Sequence, residues 1–125
     1  ALEAPAASGE VFNVINGDQF RWRQIWNVLA DFYAIPTAEP QPMPLADFMA
    51  DKAPVWEKMV AKYDLRPIPW KDVAAWPFLD AVFSLGYDLV QSTIKIRQAG
   101  FHDCVDTHQS LLTQLGHLRS ARIVP

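Results

Sequence analysis

Between residues 20 and 33 the apolar positions Trp22, Ile25, Trp26, Leu29, Phe32 and Tyr33 recur at intervals of three and four, the stripe of an amphipathic helix, with Asp18 placed to cap its start. Ahead of it, residues 10–15 read EVFNVI. Val11, Val14 and Ile15 are β-branched and Phe12 is aromatic, so propensity predicts a short strand closed by the Asn16-Gly17 turn. A strand this short does not persist alone in water, and no convincing partner lies nearby in the sequence, so the pattern asks for a sheet supplied from elsewhere. Pro36, Pro40, Pro42 and Pro44 then exclude helix and central strand over residues 35–44 and predict an extended connection. Residues 45–50 and 54–63 read as two helical pieces, the second with Val55, Trp56, Met59 and Val60 on one face and Pro54 in its first turn. The plain reading of that stripe is core packing.

Pro67 and Pro69 interrupt the chain again. The run over residues 70–85 holds Val73, Trp76, Phe78, Leu79, Val82, Phe83 and Leu85 with Pro77 inside it, which predicts a helical turn, a bend and a second helix over residues 77–84 that is apolar on more than one side. Residues 87–90 read as a second short strand. Ser92 or Thr93 caps a helix that runs through Ala99, and Gly100 ends it in the left-handed conformation. Asp106 and Gln109, three apart, open the last helix in the manner of a capping box, and Leu111, Leu112, Leu115 and Leu118 carry it to near Ala121.

With 125 residues, half of them apolar, the chain fits one domain and is expected to bury about two thirds of its unfolded surface. Its net charge of −3 offers no basic field for phosphates, which argues against nucleic acid as a partner. The single cysteine, Cys104, forms no internal disulfide, and His102, His108 and His117 do not follow metal-ligand spacing, so the sequence predicts a reduced, metal-free, cytoplasmic protein. No apolar run approaches the roughly 20 residues of a membrane span, so no membrane partner is expected. Five Trp, seven Phe and three Tyr direct attention to core, pocket or interface. The chain opens at Ala1 and reaches strand-like residues within ten positions, which predicts a piece of a longer protein with residues 1–9 as linker.

The usual catalytic constellations are missing. Five widely spaced glycines make no phosphate loop, and there is no G-x-S-x-G elbow. Cys104 lies between His102 and His108, but Asp103 and Asp106 beside it favour the neutral thiol, and no third group orients a base. Asp47 and Asp51 read as a solvated helix face, His117 as a side chain near a helix end, and Ser92, Lys95 and Arg97 as an anion-compatible set that more simply faces water. No residue is assigned a catalytic role.

Certain motifs, taken in order, carry a family likeness. The segment from Phe12-Asn13-Val14-Ile15-Asn16-Gly17-Asp18 through Phe20-Arg21-Trp22 and Trp26 resembles the late strand and following helix of extended short-chain dehydrogenase/reductases. Ser92-Thr93-x-Lys95-x-Arg97-x-x-Gly100-Phe101 is similar to the signature that follows their substrate-pocket region. Val55-Trp56, Asp106-Thr107 and the closing Leu118-Arg119 with Ile123-Val124-Pro125 narrow the resemblance to the C-terminal part of progesterone 5β-reductase and iridoid synthase-like enzymes, over nearly the whole chain. The resemblance implies an oxidoreductase in which an N-terminal Rossmann domain holds NADPH or NADH and supplies a catalytic Tyr and Lys. Tyr33, Tyr63 and Tyr87 do not stand in that catalytic setting, and no cofactor site is implied for this chain. It further implies an apolar pocket for an enone, lined by Trp76, Phe78, Leu79, Val82 and Phe83, with Arg21 and Arg23 as the basic residues beside Trp22 and Pro77 as a local departure from the pattern.

The resulting expectation is a mainly α fold with one or two short strands, the C-terminal portion of an extended Rossmann-type reductase without its cofactor domain. Residues 10–34 would close the Rossmann domain and residues 35–125 would form a helical substrate-binding region. The expected partners are a small apolar carbonyl substrate, the missing Rossmann domain and, through exposed apolar surface, further copies of the chain. A reading from another class is a non-catalytic helical module for protein interaction or oligomerisation. A free-standing carrier of a small apolar ligand would require a closed cavity within these residues.

Overall fold

A computed structural model describes residues 4–125. After a short 3-10 turn at Pro5–Ala7, the helices are α1 Trp22–Tyr33, α2 Leu45–Met49, α3 Ala53–Tyr63, α4 Trp70–Val73, α5 Trp76–Phe83, α6 Ile94–Gln98 and α7 Thr107–Ser120. The described residues contain no strand. The helical reading therefore holds, while the strands expected over residues 10–15 and 87–90 are corrected to extended segments without a ladder. The physical reason is the one their sequence carries: a strand is stable only against a partner edge, and here these segments are tied to their surroundings mainly by side chains.

Helix α1 begins at Trp22, the first residue of its apolar stripe. Arg21 stands at its cap position, and the Gln24 side chain accepts the Arg21 backbone N–H at 3.2 Å. Asp18 does not cap α1, contrary to expectation. Its carboxylate instead accepts the Thr107 backbone N–H at 2.8 Å and the Thr107 hydroxyl at 2.6 Å, so it serves the first residue of α7, and Asn16 donates to the same hydroxyl at 3.0 Å. Asp106 caps α7 as expected, accepting the Gln109 N–H at 2.7 Å. Gly100, at φ +93, closes the turn after α6.

Ile25 and Ala30 of α1 are buried, and α1 packs on α7, whose Leu115 is buried too. Arg119 of α7 fastens this pair: its guanidinium lies 4.0 Å over the Phe32 ring and donates to the Pro125 carbonyl at 2.8 Å. Helix α2 packs on α5. Here Asp80 of α5 accepts the Leu45 N–H at 2.5 Å and the Ala46 N–H at 2.9 Å, supplying acceptors to two first-turn amides of α2 that have no intrahelical partner. Pro77 sits in the first turn of α5 and starts that helix after the Ala74-Ala75 break, which matches the bend read from the sequence.

The core is small. Ile25, Ala30, Trp56, Leu65, Ile96 and Leu115 are its buried hydrophobic residues. The chain exposes 9895 Å², against about 6,700 Å² for a compact monomer of 14.1 kDa. It thus buries about half of its unfolded surface rather than the expected two thirds.

Candidate functional site

Helix α5 carries the candidate pocket residues, and a helix of eight residues with six apolar side chains and one proline cannot hide them all on one face. Trp76 is half-buried, and its ring centre lies 5.2 Å from that of Trp70, which lies 6.4 Å from Trp56. Trp56 donates its indole N–H to the Ile68 carbonyl at 2.8 Å, and Trp70 to the Met49 carbonyl at 3.0 Å. The Trp76 indole nitrogen is buried and finds no acceptor among the described residues. Phe83 stands at the other end of α5, edge-on to Trp22 of α1 at 5.0 Å. Leu79 and Val82 are half-buried between these ends, and Phe78 is 67% exposed. The five residues therefore do not share one face: Trp76 joins the tryptophan row, Phe83 meets α1, and Phe78 projects into solvent.

Beyond Trp70 lies an open, mainly apolar groove of about 350 Å³ whose lining includes Trp56, Glu57, Val60, Pro67, Pro69 and Trp70. Of the α3 stripe read as core, Trp56 is buried, Met59 and Val60 are half-buried, and Val55 is exposed. The groove beyond it arises from the extended 64–69 segment laid against α3, a tertiary feature with no local sequence signal.

Lys95 and Arg97 are bound up in structural contacts. Lys95 donates to Glu10 at 2.6 Å and to the Val11 carbonyl at 3.0 Å, and Arg97 donates to the Thr93 hydroxyl at 3.3 Å. The hydrogen bond and charge of Lys95 hold the Glu10 carboxyl below its ordinary range. Asp18 is held low as well, first by the Thr107 hydroxyl and then by its amide. Partial burial pushes the Tyr33 phenol up, against the nearby Arg119 charge. Cys104 is exposed, and Gly17 approaches it so closely, at φ +104, that a Cβ there would meet the Cys104 Cβ at 2.9 Å.

A nicotinamide dinucleotide does not fit these residues. Its pyrophosphate needs closely spaced glycines opening a long helix. Here Gly17 is closed off by Cys104, while Gly9, Gly86, Gly100 and Gly116 stand apart from one another in the chain. Among the described residues no cluster of His, Cys, Asp or Glu is placed to hold a metal ion, and no helix is long and apolar enough to cross a membrane.

No family model matches the chain. Relatives do. It is 35% identical to an (S)-8-oxocitronellyl enol synthase of Antirrhinum majus over 128 residues, which is 100% of this chain and 33% of that protein. It is 36% identical to the Camptotheca acuminata protein CYC1 of the same name, over 95% of this chain and 31% of that one. The corresponding enzyme of Catharanthus roseus is 32% identical over 97% of this chain and 32% of its own. The chain spans about a third of the length of the curated relatives it matches, their C-terminal third.

Proposed function

From a chain homologous to the C-terminal third of iridoid synthase-type, progesterone 5β-reductase-like proteins, we propose the substrate-side part of a reductase that acts on a small apolar carbonyl compound with a conjugated double bond. The observation that supports this reading is the apolar surface of α5, where Phe78 and Phe83 stay accessible while Trp76 and Asp80 fix the helix to its neighbours. An apolar surface on a rigid element orients an apolar substrate through excluded water and shape. In this reading Phe78, Leu79, Val82 and Phe83 form one side of the pocket and Trp76 sets its floor. Residues 10–34 close the cofactor domain and residues 35–125 form the substrate-binding region. The nicotinamide and the catalytic groups belong to the part of the protein that the relatives carry beyond the matched region.

The test joins this chain behind the N-terminal two thirds of the Antirrhinum majus relative and follows nicotinamide oxidation with a monoterpenoid enal and with a steroid enone. Phe83→Ala and Phe78→Ala are expected to raise KM by about tenfold, equivalent to about 1.4 kcal/mol of lost contact, with the far-ultraviolet circular dichroism retained. Val55→Ala, on exposed α3 surface, serves as the control. An unchanged KM for every enone in both phenylalanine variants removes α5 from the pocket.

A further inference from the structure

Of the asparagines in the chain, only Asn16 is followed by glycine; Asn13 and Asn27 each precede a valine. An Asn-Gly pair carries its own chemistry, because the glycine nitrogen, with no side chain beside it, reaches the carboxamide carbon before it without obstruction. The structure leaves this pair open to it. Asn16 and Gly17 are exposed and lie outside any helix, Gly17 turns the chain at φ +104, and among the described residues its N–H donates to no other backbone group. The other two asparagines are less open. Val14 crowds the amide after Asn13 with its β-branch, and Asn27 lies inside α1, whose ladder engages the next amide.

The Asn16 carboxamide is at the same time held by α7. It donates to the Thr107 hydroxyl oxygen at 3.0 Å, that hydroxyl donates to Asp18 at 2.6 Å, and the Asn16 carbonyl accepts the Val105 N–H at 2.7 Å. Thr107 has one hydroxyl proton and gives it to Asp18, so its oxygen binds position 16 only as long as that side chain brings a hydrogen of its own.

We propose that Asn16-Gly17 is a self-modification site gated by Thr107: when the latch on α7 opens, Asn16 deamidates through a cyclic imide, and either product then keeps the latch from forming again. The Gly17 nitrogen attacks Asn16 Cγ, the Cγ–Nδ2 bond breaks, and the amide proton leaves with that nitrogen as ammonia. Water then opens the imide. Addition at Cγ breaks its bond to the Gly17 nitrogen and leaves an aspartate at position 16, whereas addition at the backbone carbonyl leaves an isoaspartate, with the chain rerouted through Cβ and Cγ. Nothing is oxidised or reduced, and water is the one co-reactant. The aspartate brings no hydrogen to the Thr107 oxygen and sets a second carboxylate beside Asp18. The isoaspartate lengthens the main chain ahead of Gly17, where room is lacking: even a Cβ on Gly17 would meet the Cys104 Cβ at 2.9 Å. In both products the turn over residues 16–18 leaves the start of α7. The change is covalent, so the converted fraction records how long the latch has stood open, whatever the role of α5.

The test ages the purified chain in mildly alkaline buffer and locates conversion by peptide mapping and by methyl transfer from a protein isoaspartyl methyltransferase. Conversion at Asn16 should outrun that at Asn13 and Asn27 by about tenfold or more. Thr107→Val, which keeps the β-branch and removes the hydroxyl, should speed it by about threefold or more, and Thr107→Ser should leave the parent rate. Equal rates at the three asparagines overturn the site, and equal rates in the parent and Thr107→Val overturn the gate. Should Thr107→Val lose its helical circular dichroism, the gate is read in the parent chain, where concentrated urea is expected to speed conversion at Asn16 by about tenfold and an unchanged rate overturns it. Asn16→Asp stands in for the first product: amide exchange over residues 105–110 should quicken by about tenfold while that of α3 stays as in the parent. Unchanged exchange over residues 105–110 overturns the release of the turn.

Discussion

Trp56, Trp70 and Trp76 stand in one row and are not equivalent. The first two give their indole N–H to backbone carbonyls, whereas the third buries an N–H without an acceptor among the described residues. Replacing either of the first two with Phe leaves a carbonyl short of a donor and is expected to cost about 1–2 kcal/mol, while Trp76→Phe discards an unsatisfied donor and should be close to neutral. Urea unfolding of the three variants, followed by circular dichroism, measures the order. A cost for Trp76→Phe as large as for Trp70→Phe would mean that its N–H is satisfied in solution. Asp18 gives a pH-dependent case. Its folded pKa lies below the ordinary 3.8, so its contribution is present above that value and is lost as pH falls through the folded value. The melting temperature of Asp18→Asn should therefore lie below that of the parent chain at pH 7, and the gap should close as pH drops below 3.8. A gap that stays constant to pH 3 would remove the carboxylate's charge from the account. The two capping aspartates also show what local sequence carries. Asp106 was legible because its partner is three residues away, and Asp18 was misassigned because its partner is 89 residues away.

At the scale of elements, helices were legible because their stripes, prolines and caps are local: α3 with Pro54, the α4–α5 break before Pro77, and the turn at Gly100 all stand where the sequence put them. The strands were not, since propensity over residues 10–15 states a preference that only a neighbouring edge can satisfy. That α5 is apolar on more than one side was legible; that Trp76 packs on Trp70 and Phe83 on Trp22 was not, because tertiary packing decides it. Asp80 was missed entirely: a lone carboxylate inside an apolar helix gives no hint that it faces the start of α2. Its two hydrogen bonds tie α2 to α5, so Asp80→Ala should cost about 2–3 kcal/mol and speed amide exchange over Leu45–Met49 more than over α7. Asp80→Asn, which keeps one good acceptor, should recover part of that loss. Equal exchange in all three proteins would show that α2 is held by apolar packing alone.

For the whole molecule the decisive quantity is exposed surface. With fifteen aromatic residues in the chain and six buried hydrophobic ones among the described residues, much of its apolar surface stays open to further contact. Helix α5 meets α1 at the Trp22–Phe83 contact, and both Trp22 and Phe83 stay part-exposed there. The most direct measurement is the initial rate of nicotinamide oxidation with a monoterpenoid enal in three samples: this chain, the N-terminal two thirds of the Antirrhinum majus relative, and the two joined. Enal-dependent oxidation is expected in the joined protein and none in either part. Oxidation by this chain alone, or a folded joined protein that ignores every enone offered, would contradict it.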